Sequence, residues 1–146
     1  MQKWTQRCCP IVPEDIIKNI DLNAKTYSWM TAFMMACENG HRDVVKLILE
    51  HSEKNINLNP KSRSGCTVFM LACLNGHKDV VQLLLNNSES NIDFNAKHNS
   101  GMTAFNIACK NGHKDVVKLL LNNLNKNIDT NTRNDHGMTT FQLACS

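Results

Sequence analysis

The sequence predicts an all-α repeat solenoid, in which helix-turn-helix units stack and are joined by β-hairpin-like loops. Three observations lead there. A motif beginning at Thr31 returns at Thr67, Thr103 and Thr139, with a constant period of 36 residues. The copies at Thr31, Thr67 and Thr103 each hold a short apolar run closed by glycine and a second apolar run opened by aspartate. An Asn-rich polar stretch then separates one copy from the next. A unit of this size cannot bury its apolar faces alone, so a fixed period of this length implies stacking.

The order of residues repeats as faithfully as the spacing. Phe33, Phe69, Phe105 and Phe141 follow two residues after the threonine, and Cys37, Cys73, Cys109 and Cys145 follow six after it. In the copy that starts at Thr67, the first segment runs to Asn75 and stops at Gly76, the usual residue for a left-handed helix terminus. Asp79 then falls in the first turn of a second helix, where a carboxylate suits the positive end of the helix dipole. Val80, Val81, Leu83, Leu84 and Leu85 give that helix a stripe broad enough to be covered on both sides. The stretch from Asn91 to Met102 contains Asn, Ser and Gly101 and reads as extended chain with a tight turn.

Composition sets the class without naming a function. With 146 residues, 42% hydrophobic and 20% charged, the chain is an ordinary globular sequence of one domain. A net charge of +3 is too mild to point to nucleic acid or a membrane surface. No segment approaches the roughly 20 apolar residues that a membrane helix needs, and Arg7, Pro10 and Pro13 interrupt any secretory leader. The seven cysteines are odd in number and follow the repeat, so reduced thiols and an intracellular, cytoplasmic location are expected. Frequent Asn, Lys and Ile also follow from an AT-rich genome, which weakens any argument from asparagine alone.

The run Thr67-Val68-Phe69-Met70-Leu71-Ala72-Cys73-Leu74-Asn75-Gly76-His77, with Val80-Val81-Gln82-Leu83-Leu84-Leu85 after it, resembles the ankyrin repeat. The resemblance covers residues 19–146, with units near 27–62, 63–98 and 99–134 and a partial unit at 135–146. Residues 1–18 read as a degenerate segment or partial repeat, since Asp15-Ile16-Ile17-Lys18 lies too close to Asn19-Ile20 for a full copy. The period exceeds the family's usual 33 because of extra residues after the second helix, such as Ser88 to Ser90. The Pro and His of the family signature are Ala32 and Met34, Val68 and Met70, Ala104 and Asn106, and Thr140 and Gln142 in turn. Losing that proline and that histidine hydrogen bond is expected to lower stability. Trp29 stands where Gly65, Gly101 and Gly137 recur, so its turn should either differ or carry strain. Ser146 ends just after a first helix, and Phe141 and Leu143 are expected to lack a cover. That end fits a piece of a longer array, self-association end to end, or a truncated copy without independent function.

Cys37 and His41, Cys73 and His77, and Cys109 and His113 have a spacing that invites a metal reading. A packing role is the stronger reading: zinc wants four ligands, and each Cys takes a small buried position. No nucleophile with a base, no carboxylate pair outside the repeat and no phosphate loop is present, so neither catalysis nor a cofactor is expected.

Ankyrin-like arrays bind through a concave face made of loop tips and first helices, and the resemblance carries this over residue by residue. The expected contacts are Tyr27, Arg63 and Asn99 at the tips, with Trp29, Met30, Cys66 and Met102 beside them. On the first helices they are one row of Met34, Met70 and Asn106 and another of Glu38, Leu74 and Lys110. The methionines would adapt to a partner's shape, and Tyr27 and Trp29 would anchor it. The partner expected is therefore a protein, unidentified. The alternative is an acidic partner or nucleic acid along the basic column Lys25, Lys61, Lys97 and Arg133, although few aromatics interleave with it. The loop asparagine that is hydroxylated in some ankyrin proteins resembles Asn23, Asn59, Asn95 and Asn131, shifted here by the longer connection. Asn-rich arrays of this look are similar to those of intracellular bacteria and large viruses, which extends the analogy to delivery into a host cell.

Overall fold

A computed structural model describes residues 21–51, 56–87 and 91–146. The segment 1–18, the pair Asn19-Ile20 and the extra residues 88–90 lie outside the described residues. The described helices are α1 (Ala32–Glu38), α2 (Arg42–Glu50), α3 (Val68–Leu74), α4 (Lys78–Asn86), α5 (Ala104–Lys110), α6 (Lys114–Leu121) and α7 (Thr140–Cys145). A 3-10 turn at Leu124–Lys126 follows α6. Helices α1, α3, α5 and α7 pack in an inner row, and α2, α4 and α6 form an outer row, each paired with its inner partner.

The recurring residues each close a specific local need. Thr31, Thr67, Thr103 and Thr139 are the N-caps of the inner helices, each hydroxyl accepting from the backbone N–H three residues on. Such a cap stabilises by about 1 kcal/mol. In the last two units Asn106 and Gln142 complete a capping box, accepting from the Thr103 and Thr139 N–H groups at 3.0 and 2.9 Å. Methionines 34 and 70 occupy the same position in the first two units and contribute bulk there. The Phe33, Phe69 and Phe105 rings are buried in the core, and Phe94 from the next loop meets Phe69 edge-on at 4.8 Å.

The Asn-Gly-His triplet ends α1, α3 and α5, and the second and third histidines join their units to the preceding ones. Asn75 Nδ2 donates back to Leu71 O at 2.9 Å, while the Gly76 and His77 N–H groups donate to Cys73 O and Ala72 O. This is the Schellman arrangement, which requires the left-handed φ of +70° seen at Gly76. The His77 ring then reaches across the stack, its Nε2–H donating to Glu38 O at 2.8 Å, and His113 does the same to Leu74 O at 2.7 Å. A Cβ placed on Gly76 would fall 2.6 Å from the His113 ring. The glycine therefore serves both the turn and the close approach of the next unit.

Asparagine also clips the loops together. Asp93 and Asp129 N–H donate to Asn59 Oδ1 and Asn95 Oδ1 at 2.8 Å, and Asn57 N–H donates to Asn23 Oδ1 at the same distance. The Nδ2 groups of Asn59 and Asn95 donate to the carbonyls of Asn91 and Asn127 at 2.6 Å. At these positions asparagine is thus set by structure.

Each loop makes two turns where the sequence suggests one. The second forms the tip: Gly65 N–H donates to Ser62 O and Ser62 N–H to Cys66 O, both at 2.9 Å, a tight turn closed by a left-handed residue. Among the described residues the regular strand-like pairing is one bridge, Arg133 to Thr139. The Trp29 turn does not differ from the others, for Trp29 N–H donates to Thr26 O and Thr26 N–H to Met30 O in the same pattern. Trp29 accordingly sits at φ +63°, strained, with the Lys25 ammonium 5.3 Å from its ring centroid.

The expectation of two uncovered side chains on the final helix is half corrected. Leu143 is buried against the stack, whereas Phe141 is 78% exposed. Its counterpart Phe105 is 6% exposed, on a helix that packs against α7 of the following unit.

These junctions and the Trp29 turn set the expected stability of three variants. Gly112→Ala meets no neighbour within 4 Å and should cost about 1 kcal/mol, the left-handed penalty alone. Gly76→Ala should cost at least about 2 kcal/mol, because it also displaces the His113 bond; equal urea midpoints for the two variants would show that the ring yields freely. Trp29→Gly should raise stability by about 0.5–1 kcal/mol, since the relieved strain of about 1–2 kcal/mol exceeds an exposed cation–π contact. The test is the same urea titration followed by circular dichroism.

Candidate functional site

The tips stand in a row because they are bonded to one another. Arg63 N–H donates to Ser28 O, Asn99 N–H to Ser64 O and Asp135 N–H to Ser100 O, at 3.1, 3.2 and 3.0 Å. Asn99 Nδ2 adds a bond to Arg63 O at 3.1 Å. The space at Gly65 receives the Asn99 side chain, and that at Gly101 receives Asp135. At the first junction Trp29 has a Cβ in the glycine position, and the next tip carries Arg63 in place of Asn or Asp. Tyr27 is 98% exposed and Trp29 53%, so both aromatics stand on the surface at this end.

Between the tips and the inner helices of the first two units lies a hollow of about 600 Å³, bordered by Met30, Glu38, Arg63, Cys66, Leu71 and Leu74 along with the tip serines. A second hollow, about 210 Å³, continues it on the far side of Leu74, with Cys66, His98, Met102, Ile107 and Lys110 around it. Cys66 and Leu74 border both, so the two form one groove along the stack. Cys66 itself is buried, and Met30, Leu74 and Met102 are partly buried. Glu38 is half-buried and Lys110 exposed, and among the described residues neither enters an ion pair.

The row Met34, Met70 and Asn106 does not belong to this surface, and its expected role as contacts is corrected. Met34 and Asn106 are fully buried and Met70 is 1% exposed. Asn106 Oδ1 accepts from Thr103 and from the Thr132 hydroxyl at 2.8 Å, and its Nδ2 donates to the Thr140 hydroxyl of the following unit. It stands in for the missing histidine of the signature. Arg63, Asn99, Glu38, Leu74 and Lys110 are brought to the tips and groove together with Met30 and Met102. Leu71 and His98 also border the groove and were not expected there; Leu71 sits at an apolar core position of the repeat, and His98 at a loop position filled by Thr26, Ser62 and Asn134 in the other units.

Lys25, Lys61, Lys97 and Arg133 are all exposed. Four residues before three of them stand Asp21, Asp93 and Asp129, exposed carboxylates that accept from the N–H groups of Asn23, Asn95 and Asn131. A parallel line of acids offsets the basic column, which weakens its attraction for phosphates.

The Cys-x-x-x-His pairs are accounted for by packing. Cys37 and Cys73 are buried, and burial pushes both thiols far above the ordinary thiol range, with Cys109 raised for the same reason. A thiol so held is neither nucleophilic nor a ready ligand. The His77 and His113 rings are already bonded to carbonyls. Among the described residues no three acids, cysteines or histidines gather as a metal site, and no helix is long and apolar enough to cross a membrane.

No curated protein matches this chain closely enough to count as a relative. Family comparison is more direct. The family described as ankyrin repeats (3 copies) matches residues 8–98, and that described as ankyrin repeats (many copies) matches residues 88–144. With capped inner helices, glycine-histidine junctions and paired outer helices in place, the chain belongs to the ankyrin repeat family.

Proposed function

We propose that the chain is a non-catalytic scaffold that binds a partner protein through its tips and the exposed positions of its inner helices. Ankyrin repeats are in general protein-interaction modules, and the family is typically non-catalytic. The observation that carries the reading here is the hollow of about 600 Å³ beside Met30 and Leu74, with the Glu38 charge at its margin unpaired among the described residues. Apolar hollows with a few polar groups around them are the usual form of a recognition site.

Trp29 supports the same reading from a different direction. A bulky residue in a left-handed turn costs stability, and the other tips use glycine in its place. Its exposed ring beside Tyr27 gives the tip row two aromatic anchors, a residue class that dominates binding energy at interfaces. Cys66, though buried, contributes to the groove wall.

Leu74→Lys is the direct test, because Leu74 is partly exposed at the groove, and since it also packs against the edge of the core the fold of the variant is checked alongside. A partner cross-linked to the wild-type chain should bind at least about tenfold more weakly to this variant, a loss of about 1.4 kcal/mol. Gln82→Lys on the exposed face of α4 should leave affinity unchanged. Equal binding by wild type and Leu74→Lys, with unaltered circular dichroism, would remove the groove from the interface.

A further inference from the structure

One row of the repeat varies between two rows that do not. Cys37, Cys73 and Cys109 precede it, Asn39, Asn75 and Asn111 follow it, and between them stand Glu38, Leu74 and Lys110. Successive positions of this row lie on the inner helices α1, α3 and α5. The row therefore reads acid, apolar, base along the stack. Its backbone is held in place by the bonds from His77 to Glu38 O and from His113 to Leu74 O. Its side chains face the groove, with Glu38 and Leu74 at the first hollow and Leu74 and Lys110 at the second.

Resting on the groove reading above, we infer that the partner presents an extended segment with a basic residue at Glu38, an apolar residue over Leu74 and an acidic residue at Lys110. Charge complementarity selects the two ends, since neither Glu38 nor Lys110 has an ion-pair partner among the described residues. The fold selects the spacing. Packed helices stand about 8–10 Å apart, so the two charges are separated by about 20 Å along the stack. An extended left-handed helix of three residues per turn returns a side chain to one face every ~9 Å. The three contacts then come from positions i, i+3 and i+6 of the bound segment. Arg63, on the tip side of the same hollow as Glu38, disfavours a polybasic segment, which would meet a positive charge on one wall.

The experiment is selection of a random dodecapeptide library, displayed on phage, against the immobilised full chain. The expected result is enrichment of opposite charges about six residues apart around a central aliphatic residue. Selection on the double variant Glu38→Lys with Lys110→Glu should return the same spacing with the order of the charges reversed. For a peptide enriched on the wild-type chain, Glu38→Lys alone should lower affinity about fivefold at low salt, and added salt should shrink that effect. Enriched peptides without the paired charges, or the same charge order on both proteins, would overturn the inference while their sensitivity to Leu74→Lys kept the groove reading intact. Peptides that bind Leu74→Lys as well as wild type, or a selection that enriches nothing, would overturn both.

Discussion

The bonds from the His77 and His113 rings to the ends of the preceding inner helices are the constraint on which the array depends. His77 on Glu38 O and His113 on Leu74 O set how closely one unit approaches the next, and the gap left by glycine makes that approach possible. Every other inter-unit contact is compatible with this spacing. The tip-to-tip backbone bonds and the asparagine clips between loops repeat at the same interval, and Phe69 meets Phe94 within it. The groove is what remains between two rows held at that interval. Its floor is rigid because its backbone is fixed at both the tip and the helix end.

Local rules made the elements legible in advance. A threonine before an apolar run, a glycine after it and an aspartate opening the next helix are each explained within a few residues of the chain. Contacts between units were harder to read. Met34, Met70 and Asn106 look like one exposed edge of an isolated helix, yet they are buried, and Asn106 is held by Thr132 and Thr140 from farther along the chain. Phe141 and Leu143 are two residues apart on one helix and differ completely in exposure, because one side of α7 meets the stack and the other does not. Trp29 gave the right warning, and the structure resolves it as strain within an unchanged turn.

The division between invariant and variable positions organises the candidate site. Cysteine, asparagine, glycine and histidine recur because each closes a junction, and they leave little freedom for chemistry. The thiols illustrate this, for burial suppresses their ionisation while they fill small spaces in the core. On the groove side, what differs between units lies chiefly at the tips and in the row Glu38, Leu74 and Lys110. The larger hollow lies between the first two units, at the same end as the exposed Tyr27 and Trp29.

The asparagine-glycine pairs that terminate the inner helices give the protein a chemical clock. In a flexible chain this dipeptide readily loses its side-chain amide, as the glycine nitrogen attacks the asparagine carbonyl carbon through a cyclic imide. Here the amide nitrogens of Asn39, Asn75 and Asn111 donate to helix carbonyls, and the N–H groups of Gly40, Gly76 and Gly112 donate to the cysteine carbonyls. Ring closure has to break both bonds, so it proceeds from locally opened units. Ageing of the molecule is thereby tied to the fraying of single repeats, and the pair that deamidates first marks the unit that opens most often.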